Sequence, residues 1–421
     1  MNSVATAIRA KSLPDPYTIP LDQIDVSDPE LYRSDRMWSY FARLRREDPV
    51  HYCAESPFGA FWSVTKYNDI MHVETHHGVF SSDASLGGVT LRDGNAGLYL
   101  PMFIAMDPPK HDEQRKVVSP VVGPENLAKL EATIRERAGK IFDALPRNEV
   151  FNWVDRVSIE LTTQMLATLF DFPWEERRNL TRWSDMVTSE EAYLSPEAEE
   201  QRKAELGQAA GAFIGMWNER VNLNTPRGDL ISMLAHGEAT RNMSQEEYLG
   251  NCFLLLVGGN DTTRNSISGG LLALNQFPDQ YRKLLKNPQL VENMVPEIIR
   301  FQTPLSHMRR TALADAEIGG KKIKKGDKVV MWYVSGNRDD EVIDRPNDFI
   351  IDRPRSRQHL SFGFGVHRCM GNRLAEMQLR IVWEEILKRW PNTMIEVVGE
   401  PKRVYSNFIK GYEELPVIIR E

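Results

Sequence analysis

Phe362-Gly-Phe-Gly-Val-His-Arg-Cys-Met-Gly371 is the stretch on which the reading of this chain turns. A cysteine here follows a glycine-rich loop and opens an amphipathic run whose apolar members are Leu374, Met377, Leu379 and Val382. Backbone N–H groups of such a loop and the positive end of the helix both favour a thiolate, and a thiolate can ligate a metal. An isolated cysteine is more often a core thiol, and Cys53 and Cys252 are left with that reading. The three cysteines form no C-x-x-C pair, so a disulfide framework is not expected.

Moving outward, the 421 residues carry 52 Lys and Arg against 59 Asp and Glu, a net charge of −7 that argues against a non-specific nucleic-acid binder. With 41% apolar and 26% charged residues, the chain is globular. Residues 1–35 read as an irregular arm rich in Pro and Asp, with neither a signal peptide nor a membrane anchor, and 36–421 as one domain. No run of 18 uncharged apolar residues occurs, so a cytoplasmic protein is expected.

Helical spacing is clearest at Trp38 to Arg46, Leu127 to Leu145, Val154 to Phe170, Glu197 to Asn222, Ser244 to Phe277 and Gly371 to Arg389. Val50 to Tyr52 and Ala60 to Val64 predict a hairpin, and Ala316 to Ile318, Lys328 to Val334 and Glu396 to Val398 predict further short strands. Leu86 to Leu98 reads as a long surface loop. The expected class is mostly α with small β-sheets.

The segment opening with Ser244 and Glu247, an S-x-x-E capping box, predicts a helix of about 50 Å. Its middle, Leu254-Leu-Leu-Val-Gly-Gly-Asn-Asp-Thr-Thr263, holds two glycines that each cost on the order of 1 kcal/mol there. Thr262 lies four residues after Gly258, so its hydroxyl can bond that carbonyl and open the ladder into a groove. Taken alone, the pattern fits a packing notch with a solvated Asp261 as well as it fits a reactive site.

Together these segments resemble the cytochrome P450 family. Phe362, Gly365, His367, Cys369 and Gly371 match each fixed place of its haem signature F-x-x-G-x-[HR]-x-C-x-G. The Gly258 to Thr263 segment is similar to its [AG]-G-x-[DE]-T-[TS] motif. The resemblance implies that Cys369 is the axial thiolate of haem b, with Phe362, Gly371 and the small Ala375 beside it. It makes Asp261 and Thr262 the acid and alcohol that deliver protons to bound oxygen. His111, Arg115, His367 and an arginine of Arg309-Arg310-Thr-Ala312 are assigned to the haem propionates; the R-x-A pattern favours Arg310, with Arg309 left open. Glu297, 72 residues before Cys369, and Arg300 are implied to join a third residue, Arg353, in a buried structural network.

The implied fold is the family's single triangular helical body, and the implied activity is a monooxygenase drawing electrons from NAD(P)H through a ferredoxin and its flavin reductase. Arg368 and Arg373 are candidates for docking that partner and equally read as solvated surface. Several longer stretches, Pro101 to Pro109 and Gln302 to Ala312 among them, resemble the bacterial soluble alkane terminal hydroxylases, which implies ω-hydroxylation of medium-chain alkanes or fatty acids. Val257, Gly258, Leu305, Met308, Phe408, Ile409 and the Leu86 to Phe103 loop are the candidate pocket and read equally as core. A terpene, steroid or other small hydrophobic substrate is the alternative. A haem-thiolate sensor is the alternative of another class, and a peroxide-using relative would lack the Asp261–Thr262 pair.

Overall fold

In a computed structural model describing residues 13–93 and 100–420, the chain builds from its N-terminal side around a small sheet. Asp28 caps a one-turn helix α1 (Pro29–Arg33) by accepting from Glu30 N, and α2 (Met37–Glu47) follows. Residues 13–35 are therefore more than an irregular arm: Ile24, Val26, Leu31 and Tyr32 are buried against Phe41 and Trp332. The expected hairpin is β1 (Val50–Cys53) against β2 (Phe61–Val64), antiparallel, with α3 (Tyr67–Thr75) and β3 (Phe80–Ser81) after it.

A helical block comes next. It comprises α4 (Lys110–Val118), α5 (Pro124–Asp143), a short β4 (Val150–Asn152), α6 (Glu160–Phe170), α7 (Arg178–Thr188), α8 (Pro196–Arg220) and α9 (Leu230–His236). Side-chain oxygens that accept from backbone N–H groups set two of the starts, Ser195 for α8 and Asp229 for α9. The helix expected from Val154 is α-helical only from Glu160; its first six residues form a wider π turn, where the Ser158 and Ser268 hydroxyls meet at 2.8 Å.

Through the centre runs α10 (Gln245–Gln276), 32 residues packed against α6 and α7. Ser244 caps it by accepting from Glu247 N at 3.2 Å, but the reciprocal half of the box is missing, because the Glu247 carboxylate is taken by Lys110 and Gln114. The helix passes the two glycines unbroken, so the expected opening of its ladder does not occur.

After α10 come α11 (Pro278–Lys286) and α12 (Val291–Gln302), which packs on α10 and ends at Thr303 in a left-handed conformation. The chain then re-enters the first sheet through β5 (Met308–Ala312), the β6–β7 hairpin (Ala316–Ile318, Lys321–Ile323) and β8 (Lys328–Met331). The five-stranded order is β1-β2-β8-β5-β3, with β2 and β8 parallel. The strand expected to reach Val334 stops at Met331. Trp332 donates to Ser63 and Tyr333 to Glu74, and the backbone turns into α13 (Tyr333–Gly336). Last is α14 (Asn372–Arg389), lying on α5 and α12, with small strands β9 (Glu396–Val397), β10 (Lys402–Arg403), β11 (Tyr412–Glu414) and β12 (Pro416–Ile418) beyond it. The main apolar core lies among α5, α6, α10, α12 and α14. Among the described residues no helix is long and apolar enough to cross a membrane.

Candidate active site

Between the long α10 and the loop before α14 lies a cavity of about 470 Å³. The loop is shaped by two glycines in the left-handed region, Gly363 (φ 63°) and Gly365 (φ 65°), which side chains other than glycine rarely adopt. Cys369 N donates back to Phe362 O at 2.8 Å and Arg368 N to Gly365 O at 3.2 Å, closing the loop so that the cysteine side chain faces the cavity. Cys369 is open to the cavity surface, yet the surrounding protein shields it from bulk water and pushes its thiol up, opposed by N–H bonds from Gly371 and Asn372 and by the charges of Arg115 and Arg368. In this state desolvation outweighs the helix-end field expected from the sequence.

One wall beside Cys369 is cationic. His111 and His367 pack edge-on with ring centroids 4.3 Å apart. The Nδ1 of His111 meets Asp112 at 2.7 Å, whereas its Nε2 and both ring nitrogens of His367 are buried without a partner. Burial and the neighbouring Arg310 push His367 down to about 2, so its imidazole is neutral here. Arg115 donates to Arg368 O at 2.5 Å and lines the same wall. Of the two arginines left open, Arg310 faces the cavity, its Nη2 at 3.4 Å from Glu74, while Arg309 turns away to pair with Asp93. Orphaned donors next to an inward thiol suit a group that brings carboxylates and a metal together, as an iron porphyrin does.

Opposite this wall, α10 presents Val257, Gly258, Gly259, Thr262 and Thr263 to the cavity. Thr262 Oγ1 donates to Gly258 O at 3.1 Å. Asp261 points elsewhere: it is fully buried off the cavity, accepting from Ser184 at 2.9 Å and Asn260 at 3.1 Å, and pairs with Arg264 at 2.9 Å. Burial pushes its carboxyl up to about 6. The solvated Asp261 of a packing notch is therefore not what the structure holds; Arg264 also pairs with the more exposed Asp185, which leads outward.

Leu305, Met308, Phe408 and Ile409 all line the cavity, as do Val89 to Asp93, Met102 and Phe103 of the expected loop, whose residues 94–99 lie outside the described ones. Ala375, Phe362 and Gly371 line it too. Sequence reading missed Glu74, Tyr193, Arg202 and Tyr333, which no local motif marks. Behind the site, Glu297 accepts from Arg300 at 2.7 and 2.8 Å and from Arg353 Nε at 3.0 Å, with Glu297 and Arg300 fully buried. Arg300 and Arg353 also donate to carbonyls between 337 and 348, fixing a stretch with little regular structure. Arg368 and Arg373 are exposed.

The cytochrome P450 family model matches residues 28–410, and the chain belongs to that family of haem monooxygenases. Among solved structures it is similar to cytochrome P450-153 from Novosphingobium aromaticivorans, at 46% identity and TM-score 0.88 over 94% of this chain and 99% of that one. It is 36% identical over 413 residues to linalool 8-monooxygenase of Pseudomonas putida, covering 95% of this chain and 99% of the relative. A methyl-branched lipid omega-hydroxylase of Mycobacterium tuberculosis is 31% identical over 434 residues, 99% of each chain.

Proposed function

We propose that this monooxygenase hydroxylates the terminal carbon of medium-chain alkanes or fatty acids in the cytoplasm, with electrons passed from NAD(P)H by a ferredoxin and its reductase, and with residues 36–421 acting as one catalytic unit. Bound haem supplies the chemistry of splitting O2 and inserting one oxygen atom into a C–H bond. Cys369 would hold its iron, and His111, Arg115, Arg310 and His367 would hold its carboxylates. Thr262 keeps a hydroxyl at the cavity surface, and Asp261 stores a proton one residue behind it. Exposed Arg368 and Arg373 flank the cysteine and offer cations to an acidic electron carrier.

Support for terminal attack comes from the cavity wall. It shares one cavity with Cys369 and includes the apolar side chains of Val257, Leu305, Met308, Phe408 and Ile409. A terminal C–H is stronger than its neighbours, so attack there requires a wall that confines the chain and presents its methyl end first. The omega-hydroxylase relative is named for the same position. The relative named for linalool supports a second reading, a branched terpenoid substrate.

Titrating the holoenzyme with octane, dodecanoic acid and linalool while following the haem spin state, then locating the hydroxyl in each product by mass spectrometry, tests both. Terminal alcohols from the unbranched chains are expected. Mainly subterminal products would overturn the terminal reading, and binding of linalool alone would favour the second.

A further inference from the structure

We propose that Arg202 is the specificity residue of this cavity, binding the anionic head of its substrate, so that the preferred chain carries a carboxylate rather than being a bare hydrocarbon. This rests on the terminal-hydroxylation reading above and deepens it.

Arg202 lies near the start of α8 and lines the same cavity as Cys369. Its Nε donates to Met186 O at 2.9 Å, and its guanidinium carbon stands 5.3 Å from the centroid of the Tyr193 ring. Those two contacts fix the direction of the side chain without using either Nη. The other charges in this part of the wall are satisfied. Arg92 is paired with Glu190, and Asp93 is held by both Arg309 and Lys328. Among the described residues no ion pair joins Arg202 to a carboxylate, and its two Nη groups carry no hydrogen bond to protein.

With Nε committed to Met186 O and the plane set against Tyr193, the two Nη groups of this half-buried guanidinium are left to take an acceptor. Its planar fork matches a carboxylate through two parallel bonds, a geometry that an ammonium cannot reproduce. The methyl end of an acyl chain then lies against the apolar wall of the cavity shared with Cys369, and the head remains with Arg202 and Tyr193. Binding energy gathered at the head holds the chain in register for attack at its far end.

The test is a spin-state titration of wild-type, Arg202→Gln and Arg202→Lys holoenzymes with dodecanoate and with the uncharged dodecanol and dodecane. Retention of the thiolate carbonyl spectrum shows that each variant is folded. Expected for Arg202→Gln is about tenfold weaker dodecanoate binding, the loss typical of one charged hydrogen-bonded pair, with dodecanol and dodecane changed less than about twofold. Arg202→Lys should fall between. Equal weakening for all three ligands, no weakening for the acid, or no response of the wild type to dodecanoate would each overturn the assignment. The position of the product hydroxyl is read separately: a subterminal alcohol with the Arg202 dependence intact would remove the terminal reading and leave the head-group site standing.

Discussion

Asp261 and Arg264 sit one turn apart on α10 with carboxylate and guanidinium 2.9 Å apart, and neither lines the cavity that Thr262 faces. The acid is thus held in reserve behind the wall, linked outward through Arg264 to Asp185. Because burial raises its carboxyl to about 6, it carries a proton below that pH and is an ion paired with Arg264 above it. Turnover at saturating substrate and reductant should therefore decline as pH rises through about 6. Asp261→Asn should be slower at every pH and lack that inflection, which a pH profile of product formation would show.

Thr262→Ala removes the hydroxyl bonded to Gly258 O without disturbing the helix. Haem content should be unchanged while product per NADH falls several-fold and hydrogen peroxide rises. Coupling equal to wild type would show that the hydroxyl does not manage protons.

The two central glycines differ in what a methyl group would meet. At Gly259 it lands 2.8 Å from Leu166, whereas at Gly258 no other heavy atom lies within 4 Å and the position opens on the cavity. Gly258→Ala should gain about 1 kcal/mol of helix stability. It should also weaken binding of branched linalool more than of an unbranched chain, as spin-state titration would reveal.

Glu297 neutralises two buried arginines at once. Glu297→Gln leaves both without a counter-charge, at a cost of about 3–5 kcal/mol. Denaturant unfolding should show that loss, and the variant should purify with little haem.

His307 is fully buried, bonded through Nδ1 to Asn407 O at 3.1 Å and packed on Trp332, and burial pushes it down to about 4. The unfolded chain binds its proton near pH 6.5 and the folded one only near 4, so stability is intact above 6.5 and is lost as pH falls between the two. That loss amounts to about 3 kcal/mol. His307→Gln should show a correspondingly shallower decline in Tm between pH 6.5 and 4.

The cysteine loop was legible because its geometry is local: glycines, histidine and thiol lie within ten residues, and left-handed Gly363 and Gly365 shape the loop that turns Cys369 inward. The same holds for Thr262 and its carbonyl, separated by one helical turn. Glu297 and Arg353 were legible only through the order of motifs, since 56 residues separate them. Glu74 and Arg202 carry no local mark. Glu74 is brought to Arg310 by the neighbouring β3–β5 pairing and to Tyr333 by the turn after β8; Arg202 is aimed by Met186, on a different helix. The direction of Asp261 was also beyond the sequence, because it depends on Ser184 of α7.

The wall of the cavity runs in sequence from Glu74 to Ile409, a separation of 335 residues. At the pace of synthesis, about 5–20 residues per second, roughly 20–70 seconds pass between the emergence of its first and last members. During that interval α6, α7 and α10 can pack on one another, but the Cys369 side of the cavity is missing. No nascent fragment can grip a cofactor with its complete set of contacts. Loading with the full set of contacts is consequently an event of the finished polypeptide.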